Sequence, residues 1–130
     1  MMFEMAYYDR QGNAPTNALM KELVNARKRG VKVEVILEVR EGQDRATQRN
    51  RRAGKMLSQG GVEVIYDSLS RTTHAKLMVV DEQIILLGST NWTYSALSSN
   101  NEVAVRIRSK EVAKDLVEYF NNVKAAGSKR

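Results

Sequence analysis

Residues 74–92 read HAKLMVVDEQIILLGSTNW, and this stretch determines how the C-terminal half of the chain folds. It contains two runs rich in aliphatic residues, His74–Val80 and Gln83–Leu87, which predict two strands. Only Asp81-Glu82 separates them, and a connection of two residues predicts a tight hairpin. The hairpin returns the second strand along the first, so the polar GSTN that follows it is expected to lie beside His74.

The N-terminal half predicts two consecutive βαβ units. Aliphatic and aromatic runs indicate the strands, and apolar residues at helical spacing, opposite a basic face, indicate the helices. Thr16 or Asn17 is expected to cap the first helix. The predicted elements are the strand Met2–Tyr8, a helix that ends at Gly30, the strand Val31–Val39, the helix Arg45–Gln59, a stop at Gly60-Gly61 and the strand Val62–Tyr66.

After the hairpin, the pattern predicts a loop, a strand and a closing helix, over Asn91–Ser99, Glu102–Ile107 and Glu111–Val123. Parallel strands joined by helices need right-handed crossovers, which place helices on the sheet faces. The predicted fold class is therefore α/β, a mixed sheet with parallel βαβ units and helices on both faces. We assign one domain to residues 1–126 and a disordered tail to residues 127–130.

Composition narrows the kinds of site that the chain can hold. The 130 residues carry a formal net charge of +6, which favours a polyanionic partner such as nucleic acid or an anionic lipid surface. The chain has no cysteine and one histidine, so a disulfide, a thiolate site and a multi-histidine metal site within one chain are excluded. We expect neither a metal nor another cofactor.

Hydropathy argues against a membrane span. No apolar stretch approaches the ~20 residues that cross a bilayer, and the first residues lack the pattern of a signal peptide. We expect no stable membrane insertion and a cytoplasmic location, or a secreted or periplasmic one if an N-terminal leader has been removed.

The hairpin gathers groups that suit a phosphate. His74 and Lys76 share one strand face about 7 Å apart, so the imidazole and the ammonium can contact one phosphate. The end of the second strand adds the Ser89 hydroxyl and the Asn91 amide as neutral donors. Gly88 removes a Cβ, which lets backbone approach the phosphate closely.

The type and spacing of these residues resemble the HKD motif of the phospholipase D superfamily. The match needs no insertion or deletion and consists of His74, Lys76, Asp81, Gly88, Ser89 and Asn91. The resemblance implies a metal-independent phosphodiesterase hydrolase in which His74 attacks phosphorus, while Lys76, Ser89 and Asn91 hold the phosphate. Asp81 occupies the hairpin turn, where Asp is favoured by its own backbone hydrogen bonds, so we assign it a structural role.

The resemblance also implies a carboxylate that orients the histidine. In the superfamily a Glu follows the motif in the context Asn-x-Glu or Asn-Asn-Glu, and Asn100, Asn101 and Glu102 stand at that place here. Glu102 is expected to accept from one nitrogen of His74 and leave the other free to attack. The alternative is a solvated strand start.

One histidine is too few for the two-step reaction, which needs a nucleophile and a separate acid. The superfamily meets this need with two copies of the motif. The resemblance therefore implies a homodimer in which His74 of one protomer attacks and His74 of its partner protonates the leaving oxygen. A covalent phosphohistidine intermediate would then be hydrolysed.

The substrate is expected to be nucleic acid, either DNA or RNA, single- or double-stranded. The GSTNW and NNE segments resemble small single-motif endonucleases, including those of the RNA-silencing branch. Arg45, Arg49 and Arg52 are candidate phosphate contacts, although a basic run is often only a solvated helix face. Trp92 could stack on a base or pack under the loop, and packing is favoured.

Two other functions stay open. A cardiolipin-type phospholipid phosphodiesterase would use the same motif, and a non-catalytic nucleic-acid-binding module of a larger protein would keep it without turnover. Members of the superfamily normally begin with a further strand and helix before the segment that matches MFEMAYY, so we expect this chain to lack them.

Overall fold

Helices and strands alternate along the first half of the chain, and a three-stranded antiparallel unit follows. A computed structural model describes residues 1–10, 12–42 and 44–129. Its elements are α1 (Pro15–Lys28), β1 (Glu34–Leu37), α2 (Arg45–Gln59), β2 (Glu63–Tyr66), β3 (Leu77–Val80), β4 (Ile84–Gly88), α3 (Tyr94–Ser98), β5 (Ala104–Arg108) and α4 (Lys110–Ala126).

The N-terminal segment joins two sheets into one layer. The strands β1 and β2 pair in parallel, and β3, β4 and β5 pair antiparallel. Met2 forms a parallel bridge to Leu37 and an antiparallel bridge to Lys76, so the layer runs β2, β1, N-terminal segment, β3, β4, β5. The predicted strand Met2–Tyr8 is reduced to bridges at Met2 and Met5, because the segment turns from the sheet toward Trp92.

Helices cover both faces of this layer, as predicted. On one face, the alternate residues Val35 and Leu37 of β1 pack in a core with Met20 of α1 and Leu57 of α2. On the other face, a second core is formed by Ile36, Ile65, Leu77 and Ile85 with Ala113 of α4. The inner strands are buried on both sides because their side chains alternate between the two cores.

The first helix begins differently from the prediction. Pro15 is its first residue and Ala14 its N-cap, with no side-chain cap. Proline suits this position because the first helical N–H has no intrahelical partner. Thr16 and Asn17 are buried inside the helix, and the Asn17 amide instead donates to the Tyr8 carbonyl at 2.9 Å and accepts from the Tyr8 N–H at 3.0 Å.

Other boundaries shift by a few residues. The helix Arg45–Gln59 is confirmed, with the Asp44 side chain accepting from Thr47 N–H at its start. The predicted strand Val31–Val39 is hydrogen-bonded in register only over Glu34–Leu37. The predicted loop Asn91–Ser99 contains α3, whose N-cap is Thr93.

The predicted disordered tail is instead paired with the sheet. Ser128 exchanges two backbone hydrogen bonds of 2.8 Å with Tyr66 of β2. The Lys129 ammonium lies 2.7 Å from the Glu63 carboxylate on the same strand. An open edge of β2 offers unpaired backbone groups, and this segment covers it. Arg130 lies outside the described residues.

Candidate active site

The hairpin turn lies at the opposite end of β3 from His74. Asp81 and Glu82 both have φ of 51°, and Gln83 N–H donates to Val80 carbonyl at 3.2 Å. Two successive residues with positive φ form the turn type that matches the twist of a hairpin. Asp81 follows Lys76 by five residues across β3, which separates the two backbone positions by about 16 Å along the strand. This position agrees with a structural role for Asp81.

His74 and Lys76 lie just before β3 and touch each other. The Lys76 ammonium is 3.2 Å from Nδ1 and 3.4 Å from Nε2 of His74, and it donates to the His74 carbonyl at 2.8 Å. Burial lowers the pKa of Lys76, and the negative charge of Glu102 opposes this shift. The sheet therefore brings a cation to the exposed imidazole, as the sequence predicted.

An aromatic ring that the sequence analysis missed supports both groups. The Phe3 ring lies 4.3 Å from the His74 ring, centroid to centroid. The Lys76 ammonium and the Arg40 guanidinium lie 4.8 and 5.2 Å from the centroid of Phe3. Cations are attracted to the face of an aromatic ring, so Phe3 gathers two positive charges beside the imidazole.

A buried carboxylate that the sequence analysis also missed anchors the chain before His74. Glu38 is 2% exposed and accepts from the Thr73 N–H at 2.7 Å and from Arg40 Nε at 3.4 Å. Burial raises the pKa of Glu38, and the hydrogen bond from Thr73 opposes the rise.

Asp67, also buried, has one carboxylate oxygen with no partner among the described residues.

Gly88 is required by the neighbouring strand. A Cβ at this position would lie 2.2 Å from the Val103 carbonyl oxygen and 2.7 Å from the Ala104 Cα. Real carbon–oxygen contacts are never that short, so only glycine lets β4 approach β5 here. The structure therefore gives a packing reason for this glycine, and the close approach of backbone to a phosphate stays a prediction.

Ser89 and Glu102 form a hydrogen-bonded pair at the ends of these strands. The Ser89 hydroxyl donates to Glu102 and accepts from the Val103 N–H at 3.1 Å, and the Asn100 amide donates to Glu102 at 3.1 Å. The hydrogen bonds from Ser89 and Asn100 lower the pKa of Glu102.

The structure corrects the position expected for Glu102 against the imidazole. Within the described residues its hydrogen bonds go to Ser89 and Asn100, and none joins it to His74. The reason is that β4 and β5 pair directly, which places the Ser89 hydroxyl closer to the carboxylate than the ring is. An orienting role for Glu102 stays a prediction.

Asn91 lies partly buried beyond the end of β4. Its Oδ1 atom is buried and has no donor within the described part of the chain. The next residue is fixed, because Trp92 N–H donates to the Glu4 carbonyl at 2.9 Å. The backbone around Asn91 is therefore held in place, while the side-chain amide oxygen accepts no hydrogen bond from the described residues.

A family model described as the PLD-like domain of cardiolipin synthase matches residues 2–124. The chain belongs to this phospholipase D-like family. Family members are phosphodiesterase hydrolases. Its fold is that of Nuc, a phospholipase D family member from Salmonella typhimurium, with a TM-score of 0.79, 28% identity and coverage of 99% of this chain and 79% of that one. NucT from Helicobacter pylori has the same fold, with a TM-score of 0.76, 17% identity and the same coverage.

Curated relatives of the phospholipase D-like chain carry lipid-related names. A phospholipase D of Rickettsia typhi is 28% identical over 107 residues, which are 82% of this chain and 50% of the relative. A mitochondrial cardiolipin hydrolase of Canis lupus familiaris is 28% identical over 95 residues, 73% of this chain and 35% of the relative. The chain spans half or less of the length of these relatives.

An apolar cavity opens beside the motif of this phospholipase D-like domain. It has a volume of about 570 Å³ and adjoins His74, Lys76 and Ser89. Its walls are mainly aliphatic and aromatic and include Leu87 of β4 and Tyr119 of α4, which are 37% and 50% exposed. The wall beside the motif is therefore apolar and partly exposed.

The basic helix contributes fewer free charges than expected. Arg49 forms an ion pair with Glu4, so part of its charge is used within the fold. Arg45 and Arg52 are exposed, and within the described residues neither has an ion-pair partner within 4.0 Å. Trp92 is partly buried and packs against the core, in agreement with the favoured interpretation.

The described residues contain neither a membrane-spanning helix nor a cluster of metal-ligating side chains. Across residues 1–10, 12–42 and 44–129, no helix is both long and apolar enough to cross a bilayer. In the same ranges, no three side chains among His, Asp and Glu converge as metal ligands.

Proposed function

We propose that this domain is a phosphodiesterase that works without a metal, through a covalent bond between His74 and phosphorus. The observation that carries the proposal is the rim where β3 begins, β4 ends and β5 begins. It places an exposed imidazole, an ammonium and the Ser89–Glu102 pair around one cavity. Membership of the phospholipase D-like family supports the same chemistry.

In the proposed reaction, a neutral nitrogen of His74 attacks phosphorus and the bond to the leaving oxygen breaks. Lys76 stabilises the charge that develops on the non-bridging oxygens, because a preorganised ammonium acts strongly in a partly desolvated site. Asn91 adds a neutral amide, and Ser89 adds its hydroxyl when phosphate displaces Glu102. Water then attacks the phosphohistidine, the N–P bond breaks, and His74 is regenerated.

The second acid is proposed to come from a second copy of the chain. A partner imidazole would protonate the leaving oxygen and then activate the water, which His74 of the same chain cannot do while it is bonded to phosphorus. The apolar side chains around the site support this pairing, since a two-fold axis beside Leu87 and Tyr119 would bury them and bring two copies of His74 together.

Mixed dimers test the shared site. Differently tagged wild-type and His74→Ala chains are co-expressed at equal levels, and all dimers are collected. If one site needs both histidines, the specific activity falls to about one quarter of wild type, because only random wild-type pairs work. Activity of about one half would show that each chain works alone.

Nucleic acid is the substrate we propose. The net charge of +6 favours a polyanion over a single phosphate, and so do the exposed Arg45 and Arg52 on α2, which have no ion pair among the described residues. The alternative substrate is a phospholipid. The apolar walls beside His74 and the names of the cardiolipin hydrolase relatives favour it. The third hypothesis is a non-catalytic module that binds nucleic acid without cleaving it.

A substrate comparison separates these readings. Wild type and His74→Ala are incubated with a labelled single-stranded oligonucleotide, cardiolipin vesicles and bis(p-nitrophenyl) phosphate. The proposal expects His74-dependent cleavage of the oligonucleotide and of the small diester, with intact cardiolipin. Cleavage of cardiolipin and the small diester alone would establish the lipid reading, and binding of the oligonucleotide without any cleavage would establish the binding module.

A further inference from the structure

We infer that a groove between α2 and residues 7–10 binds single-stranded nucleic acid next to the reacting centre. The inference deepens the proposed function and rests on its nucleic-acid substrate. The groove encloses about 950 Å³ and lies outside the HKD motif. Its wall on α2 is formed by Arg52, Lys55, Met56 and Gln59, and its other wall by Tyr7, Tyr8, Asp9 and Arg10.

The N-terminal segment connects this groove to the reacting imidazole. Phe3 contacts the His74 ring, and the Ala6 N–H donates to the Trp92 carbonyl at 2.9 Å, so the segment is held along this path. Tyr7 follows Phe3 by four residues, which span about 13 Å when extended. A short single-stranded segment can therefore lie in the groove and reach the imidazole.

Polar contacts fix α2 against residues 3–5, the segment that leads into the second wall. The Asn50 side chain of α2 accepts from the Met5 N–H at 2.7 Å and donates to the Phe3 carbonyl at 2.8 Å. Arg49 adds an ion pair to Glu4. Because Asn50 is fully buried, the helix cannot slide along the segment without breaking these bonds. Tyr8 in the second wall is anchored separately, by its two backbone hydrogen bonds with Asn17 of α1.

The charge of the groove suits a phosphate backbone. Arg52 and Lys55 follow Arg49 on α2 and rise about 4.5 and 9 Å along the helix axis from it. Neither has an ion pair in the part of the chain that the structure describes, and both are exposed. With Arg10 the groove holds three cations against the single carboxylate of Asp9.

Aromatic rings make an unpaired strand the best occupant. Tyr7 and Tyr8 line the groove while other parts of them are held by the fold. Tyr7 packs against the core, and Tyr8 meets the Tyr94 ring edge-on at 6.4 Å between centroids and accepts from the Tyr94 N–H at 3.2 Å. Tyrosine faces stack on any base and so tolerate sequence, but a duplex hides its base faces between neighbouring pairs. The combination of cations and tyrosines thus selects single-stranded nucleic acid.

Binding of a fluorescent oligothymidylate of about 12 nucleotides, measured in EDTA, tests the groove. The variant is Arg52→Ala/Lys55→Ala, since alanine preserves the helix. Its control is Lys110→Ala/Lys114→Ala, which removes the same charge from α4 on the opposite sheet face. Each lost single-strand phosphate contact lowers the slope of log affinity against log salt by about 0.7, so two lost contacts lower it by about 1.4. Between 1 M and 0.1 M salt this change makes the groove variant bind on the order of 25-fold more weakly than wild type.

The outcomes distinguish this inference from the proposed function. A groove variant that loses affinity while the control stays within about 2-fold of wild type supports the groove, even if no cleavage occurs. If affinity is lost in the groove variant and wild type cleaves nothing, the proposed hydrolysis is refuted and the groove is still supported. Equal affinity of the groove variant and its control overturns the groove, whether or not the oligonucleotide is cut. Equal binding of duplex and single strand would overturn the assigned strand preference.

Discussion

The Glu38 carboxylate accepts a hydrogen bond of 2.7 Å from the backbone N–H of Thr73, one residue before His74. Both residues are buried, at 2% and 5% exposure, so this bond is shielded from water. It ties the end of β1 to the chain that delivers His74. The position of the imidazole thus depends on a residue 36 positions earlier in the sequence.

We predict that Glu38→Ala destabilises the fold and lowers turnover. The substitution leaves a buried N–H without a partner, which costs about 1–3 kcal/mol of unfolding free energy. Glu38→Gln keeps an acceptor for Thr73 and should recover most of the lost stability. Urea unfolding measures the effect, and equal unfolding midpoints for the alanine and glutamine variants would contradict the role assigned to this hydrogen bond.

Gly88→Ala is predicted to destabilise the domain by about 1–3 kcal/mol, the usual cost of overpacking. The added methyl would meet the Val103 carbonyl at 2.2 Å and force β5 away from β4. Gly12→Ala is the matched control, because a Cβ at that position has no atom within 4 Å. Denaturant midpoints of the two variants should separate clearly, and coincident midpoints would refute the close approach of the strands.

Asp81 is predicted to be dispensable for chemistry although it belongs to the motif. Asp81→Gly suits the φ of 51° and should keep kcat/KM within about 2-fold of wild type while stability is equal or higher. Lys76→Met should lower kcat by about 100-fold or more, because it removes the charge that we propose to stabilise the reacting phosphate. A similar loss in both variants, measured on a small diester, would place Asp81 in the reaction.

The ion pairs that hold the C-terminal segment predict a specific acid response. Hydrogen bonds from Lys129 and Lys124 lower the pKa of Glu63 from 4.5 to about 2. A lowered folded-state pKa means that the stabilisation is present above pH 4.5 and is lost as pH falls toward 2. Glu63→Gln should therefore show a shallower loss of stability across this range. Identical pH profiles of thermal unfolding would contradict the contribution of Glu63.

The sequence predicted the elements whose signals are local. The bounds of α2 are confirmed because a capping Asp44 and the pair Gly60-Gly61 border a strongly amphipathic segment. The hairpin is confirmed because its turn residues and apolar strands agree with each other. By contrast, α3 has only five residues, and such a short helix leaves too little periodicity to detect.

Features set by tertiary contacts could not be predicted in the same way. Phe3 belongs to an apolar run like any buried strand, and only the pairing of Met2 with Lys76 places its ring against His74. Glu38 interrupts an apolar strand with no local sign of its partner at Thr73. The tail sequence has the composition of a disordered segment, yet the open edge of β2 orders Ser128.

The most direct test of a metal-independent reaction through His74 is cleavage of a labelled single-stranded oligonucleotide in excess EDTA. Wild type and His74→Ala are compared at matched concentration. We predict that wild type cuts in EDTA and that the variant does not. Retained cutting by His74→Ala, or activity of the wild type that disappears with EDTA and returns with added metal, would contradict a metal-independent reaction through His74.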